Sequence, residues 1–169
     1  MTKNKKILIF SVAAIILAIV VIIIIILTGK RETYRFIEVD QYNGSVTLER
    51  NGTKPELFEG LHLITDDMVS TGDASDILLL ADTDKHILAE ENTGFSIEAE
   101  GNESKGRIAV NLMYGSSLIT IDNKLPDGSE FVVNTPNAAL SVRGTVFLVS
   151  YDPETETTIV VEIPHKKLE

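Results

Sequence analysis

Ile108-Ala109-Val110-Asn111-Leu112-Met113-Tyr114-Gly115-Ser116-Ser117-Leu118-Ile119-Thr120-Ile121 is the stretch on which the fold turns. Ile108, Val110 and Leu112 recur at every second position, the period that puts side chains on one face of a strand. Beyond Gly115 the apolar set moves to Ile119 and Ile121, so the parity changes across the glycine. A glycine at a phase change marks a bulge or a corner.

The same period continues on both sides. Val46 and Leu48 alternate with Thr47 and Glu49 ahead of Asn51-Gly52, a strong turn signal. Ile77–Leu80 is an unbroken apolar run after Gly72, which reads as a strand buried on both faces. Ile87, Phe95 and Ile97 mark further short strands. Asp127-Gly128 is a turn, and Phe131-Val132-Val133, Val142, Thr145–Tyr151 and Thr157–Ile163 follow it as strands. No segment past residue 30 carries a 3.6-residue apolar stripe. The fold class expected is all-β, a twisted solenoid-like or sandwich-like domain without an exact internal repeat.

A different segment opens the chain. Ile7–Leu27 holds no charge, and seventeen of its twenty-one residues are Ile, Leu, Val or Phe. As a helix it would span roughly 31 Å, the thickness of a bilayer core. Its length, and the absence of a small-residue exit before Thr28-Gly29-Lys30-Arg31, distinguish it from a cleaved signal peptide. The organisation expected is a cytoplasmic tail over residues 1–6, a transmembrane helix over 7–27 and a juxtamembrane stalk with the first strand over 28–41. A β domain over 42–163 and a tail over 164–169 complete it. Lys3, Lys5 and Lys6 favour a cytoplasmic N-terminus, which puts the larger part outside the cell membrane.

Composition narrows the function. The chain after the apolar run has twelve Lys and Arg against all 25 acidic residues, so nucleic acid is not an expected partner. With no cysteine, disulfides, thiolate metal sites and thiol nucleophiles are excluded. His62, His86 and His165 are scattered. Asp82-x-Asp84 starts like a calcium loop but lacks its later glycine and glutamate, and Thr83-Asp84-Lys85 is more simply a hairpin turn. Asp66-Asp67 and Glu90-Glu91 read as solvated edges, since adjacent strand residues point to opposite faces. Ser116, Ser117 and Ser141 lack a nucleophile elbow. No catalytic residue, metal ligand or cofactor site is expected.

One segment stands apart, Val133-Asn134-Thr135-Pro136-Asn137-Ala138-Ala139-Leu140-Ser141-Val142-Arg143-Gly144-Thr145-Val146-Phe147. Pro136 redirects the chain, Gly144 permits a close approach or positive φ, and Arg143 between apolar neighbours needs acceptors. Its Thr135, Pro136, Val142, Arg143, Gly144, Thr145 and Phe147 resemble the signature of the FecR domain family. The resemblance continues upstream through Asn43-Gly44-Ser45-Val46, Asp66–Gly72, Ser75–Asp82, Glu91–Phe95 and Leu112–Ser116, and covers roughly Tyr42 to Glu162. It implies an extracytoplasmic, all-β domain that binds protein partners. Iron-uptake members also carry a cytoplasmic region that controls a sigma factor. Met1–Lys6 is too short for that output. The function expected is therefore a membrane-anchored, non-catalytic interaction domain of an envelope sensing or signalling complex, working through an envelope or membrane protein. A structural module binding wall polysaccharide is the alternative.

Overall fold

The computed structural model describes residues 37–102, 105–142 and 146–163, and all regular structure among them is β-strand. The apolar run Ile7–Leu27 lies outside the described residues, and no helix among the described ones is long and apolar enough to cross a membrane. The strands are β1 (Ile37–Asn43), β2 (Val46–Glu49), β3 (Met68–Thr71), β4 (Asp76–Ala81), β5 (Lys85–Ala89) and β6 (Gly94–Asn102). They are followed by β7 (Lys105–Ile121), β8 (Glu130–Thr135), β9 (Ala138–Val142), β10 (Val146–Asp152) and β11 (Thr157–Ile163). β1 straddles the expected boundary between positions 41 and 42. It belongs to the fold, because Ile37 and Val39 are buried in the core.

β7 organises the rest. At 17 residues it is about three times the usual strand length of ~5–6. Its first part pairs with β6 and, in parallel, with β8; its last part pairs with β5 and β10. The change of partners falls at Gly115, where φ is +88°. Opposite it the register slips, since Gly94 faces Tyr114 but Phe95 faces Leu112. The inward set is Ile108, Val110 and Leu112 before this corner and Ser117, Ile119 and Ile121 after it. The network thereby divides into one half ordered β1-β4-β5-β7-β10-β11 and another ordered β2-β3-β6-β7-β8-β9.

The halves share one core. Ile77, Leu79, Ile87, Ile119 and Val149 from the first join Leu48, Val69, Phe95, Ile97, Val110 and Phe131 from the second in a single buried cluster. Each such side chain contributes about 1.5–3 kcal/mol on burial. The all-β, sandwich-like expectation describes this arrangement.

Turn chemistry follows the sequence at two hairpins. Asn51 and Gly52 both have positive φ between the bridged residues Arg50 and Thr53. Thr135-Pro136-Asn137-Ala138 closes β8 onto β9. The β4–β5 hairpin places Asp82 and Thr83 at positive φ, and the buried Lys85 ammonium pairs with both Asp82 and Asp84. A cation of the chain's own thus sits where the two aspartates resembled the start of a calcium loop.

Two expectations are corrected. Asp67 is not a solvated edge. Only 1% exposed, it takes a two-pronged ion pair from Arg50 and the backbone N–H of Ile64. Nor is Ile77–Leu80 buried on both faces; Ile77 and Leu79 enter the core, while Leu78 and Leu80 are half-exposed on the outer side.

Candidate interaction face

The outer side of the first half is unusually aliphatic. Its registers set Leu78 opposite Leu88, Leu88 opposite Leu118, Leu118 opposite Leu148 and Leu148 opposite Val161. Neighbouring strands lie ~4.8 Å apart, so these five side chains form a ridge about 19 Å long. Leu80, Val146 and Ile163 stand in the adjoining row, with His86 and Thr120 between them. His86 reaches Asp122 at 3.3 Å. The ridge ends on β11, where Ile159, Val160, Val161 and Ile163 are all exposed. Within the ridge the four leucines are partly buried and Val161 is exposed, so the apolar area most open to water lies on β11.

The outer side of the second half is more polar, with Met68 exposed there opposite Ser96. Ser96, Asn111 and Asn134 occupy one cross-strand row. Asn111 donates to Ser96 and Glu98, Asn134 donates to Asn111, and Arg107 donates to Glu98. The hydrogen bond from Asn111, and after it that from Arg107, holds the Glu98 carboxyl below its ordinary value, against a smaller opposing effect of burial. A depressed carboxylate pKa stabilises the fold above the ordinary carboxylate range, and that contribution is lost as pH falls through the folded value. Glu98→Gln is expected to flatten the acid limb of the stability curve by at most about 0.5 kcal/mol, since the ion pair is over one-third exposed. Urea midpoints at about pH 7 and pH 4 check it.

An open groove of about 580 Å³ lies at the Gly115 corner, lined by Tyr114, Ser116, Ser150, Tyr151, Asp152 and Ile159 among others. Its polar groups are engaged with one another. Ser116 and Ser150 share a hydrogen bond of 2.8 Å. The backbone N–H of Glu154, then the hydroxyl of Thr155, holds the Asp152 carboxyl below its ordinary value. No group of three or more His, Asp or Glu among the described residues is disposed to hold a metal ion.

The signature residues are divided between the halves. Thr135 meets the Thr158 hydroxyl at 2.8 Å, and Asn137 donates to the Glu156 carbonyl, so the Pro136 turn braces the start of β11. Val142 and Phe147 are buried in the core, one from each half. Arg143, Gly144 and Thr145 lie outside the described residues. Sequence reasoning missed the ridge, although Leu78 and Leu80 were its visible signal.

A family model described as FecR protein matches residues 67–163, from the buried aspartate to the end of β11. The chain belongs to the FecR family, a family of regulatory and signalling proteins. No curated protein and no solved structure matches it.

Proposed function

We propose that this chain is a membrane-anchored, non-catalytic, extracytoplasmic interaction domain of an envelope sensing or signalling complex. Ile7–Leu27 serves as its single-pass anchor with the N-terminus in the cytoplasm, and the ridge Leu78–Leu88–Leu118–Leu148–Val161 is its contact with a protein partner. The ridge carries the reading. A soluble sheet with one free face ordinarily alternates apolar-in and polar-out, whereas the first half carries the aliphatic row of the ridge on its outer side, beside the polar His86 and Thr120. A photo-crosslinking residue at Leu118 in intact cells is expected to give a discrete adduct with an envelope or membrane protein. The same residue at Ser96, on the more polar face, is expected to give none. Leu148→Lys should abolish the Leu118 adduct without lowering the amount of folded protein. Equal adducts from both faces, or an adduct indifferent to Leu148→Lys, would sink the assignment.

A second reading has one observation in its favour. The Tyr114 ring lies so close against Gly94 that a Cβ there would collide with it, and the ring borders the open groove. An aromatic ring so backed can stack on a sugar of wall polysaccharide. Sedimentation with purified cell wall separates the two readings, and a Tyr114→Ala variant that still cosediments removes this one.

A further inference from the structure

We propose that Asn51 is a self-modifying site, whose side-chain amide is lost spontaneously through a ring closed with the backbone nitrogen of Gly52. The fold confines this reaction to one of the chain's two Asn-Gly pairs, Asn43-Gly44 and Asn51-Gly52. The reaction needs a free side-chain amide, a free backbone nitrogen after it and no side chain hindering the approach, which glycine supplies. The Gly52 nitrogen attacks Cγ of Asn51. The N–Cγ bond forms, the Cγ–Nδ2 bond breaks, and ammonia leaves with the proton that the Gly52 nitrogen gives up. Water then opens the cyclic imide. Attack at Cγ breaks the new bond and leaves aspartate at 51. Attack at the backbone carbonyl breaks the original peptide bond and leaves isoaspartate, in which the chain runs through the side-chain carbons. Water is the sole co-reactant.

Both pairs are exposed, so exposure does not separate them. Bonding does. Asn51 and Gly52 form the turn between the bridged Arg50 and Thr53, and among the described residues no hydrogen bond engages the Asn51 amide or the Gly52 N–H. A Cβ built on Gly52 would meet nothing within 4 Å. At the other pair the Asn43 amide donates to both carboxylate oxygens of Asp76 at 3.1 Å. Gly44 is packed so closely against Ser75 that a Cβ there would collide with its hydroxyl, which also accepts from the Ser45 N–H. The free pair stands where conversion has a consequence. The Arg50 N–H donates to the Thr53 carbonyl, and the Thr53 N–H and hydroxyl donate back to the Arg50 carbonyl. Isoaspartate adds an atom to the backbone of this tight loop, so the reciprocal bonds cannot all be kept. Arg50 is the residue whose guanidinium holds the buried Asp67, so conversion at Asn51 loosens that anchor as the chain ages.

Peptide mapping by mass spectrometry of the full-length chain, sampled through a prolonged warm incubation, reads each asparagine separately. In the folded chain Asn51 is expected to convert at least about tenfold faster than Asn43, because freeing the Asn43 amide first breaks two hydrogen bonds to a carboxylate. In the same chain unfolded in urea, the two should convert at similar rates. Gly52→Ala, whose methyl hinders the attacking nitrogen, should slow Asn51 in both states. In the isoaspartate fraction, marked with an isoaspartyl methyltransferase, hydrogen exchange at the Arg50 and Thr53 N–H groups should be at least about tenfold faster than in the fresh chain. Asn51→Asp adds the charge without the extra backbone atom and should leave that exchange unchanged. Equal conversion of Asn43 and Asn51 in the fold, or an Asn51 that converts in urea and stays intact in the fold, overturns the proposal. An isoaspartate fraction that exchanges like the fresh chain overturns the loosening of the Arg50 anchor.

Discussion

Gly115→Ala is expected to destabilise the Thr33–Glu169 unit by about 3 kcal/mol or more, lowering its urea midpoint by roughly 1.5–2 M. Two separate penalties add. At φ +88° an alanine enters a region that L-residues avoid at a cost of about 1–2 kcal/mol. Its Cβ would also stand 2.5 Å from the Asn92 carbonyl oxygen and from the Thr93 Cα, backbone atoms that no rotamer change can move. Thr93 cannot retreat freely. Its hydroxyl accepts from the Ser116 N–H, and its own N–H donates to the hydroxyl of Thr71, in a fully buried position. Gly52→Ala is the control, for Gly52 has φ +73° with nothing within 4 Å of the added carbon. It should cost only about 1 kcal/mol. Tyrosine fluorescence and far-UV circular dichroism follow both, and equal costs would show that backbone conformation, not the close approach, governs the corner.

That corner was legible because side-chain period is strict. A change from even to odd inward positions across one glycine admits few structures, and β7 turns at that residue. Asn51-Gly52 was legible for the same local reason, since a two-residue hairpin needs positive φ at both places. Failures came where the deciding contact was remote or concerned a second surface. Asp66-Asp67 carries no local sign of burial, because the partner of Asp67 lies 17 positions earlier, across the 52–63 excursion. The composition of the run Ile77–Leu80 favours burial on both faces. Composition reports a preference for removal from water but does not say which molecule removes it. In the fold, Leu78 and Leu80 stay partly exposed, Leu78 in a ridge assembled from five strands and Leu80 in the row beside it, and only registers could reveal that.

The same distinction between local pattern and remote partner governs the other large effect, which is expected at Arg50. Arg50→Ala should destabilise the domain by about 3–5 kcal/mol, as removal of one member of a buried ion pair leaves the other uncompensated. Arg50 Nε donates to Asp67 Oδ1 at 2.8 Å and Nη2 to Oδ2 at 2.6 Å, while Nη2 also donates to the His62 carbonyl. Hydrogen bonding to Asp67 holds the guanidinium above its ordinary pKa, with burial opposing it, so the guanidinium stays charged. The arginine side chain is 26% exposed and the aspartate 1%, so the desolvated charge left behind is the carboxylate. The donor its carboxylate keeps is the backbone N–H of Ile64. Asp67 also fixes the chain at this point, since its carbonyl accepts from Ile97 and brings the 64–67 turn onto β6. Arg50→Lys keeps the charge but not the planar fork, and should recover part of the loss. The decisive variant removes both charges. Arg50→Met with Asp67→Leu should be much more stable than Arg50→Ala alone, because the desolvation penalty disappears with the pair. If the double variant is no better than the single one, the ion pair is holding the 52–63 excursion in register rather than neutralising a buried charge. Chemical denaturation of the three variants, with hydrogen exchange at Ile64 and Ile97, distinguishes these outcomes.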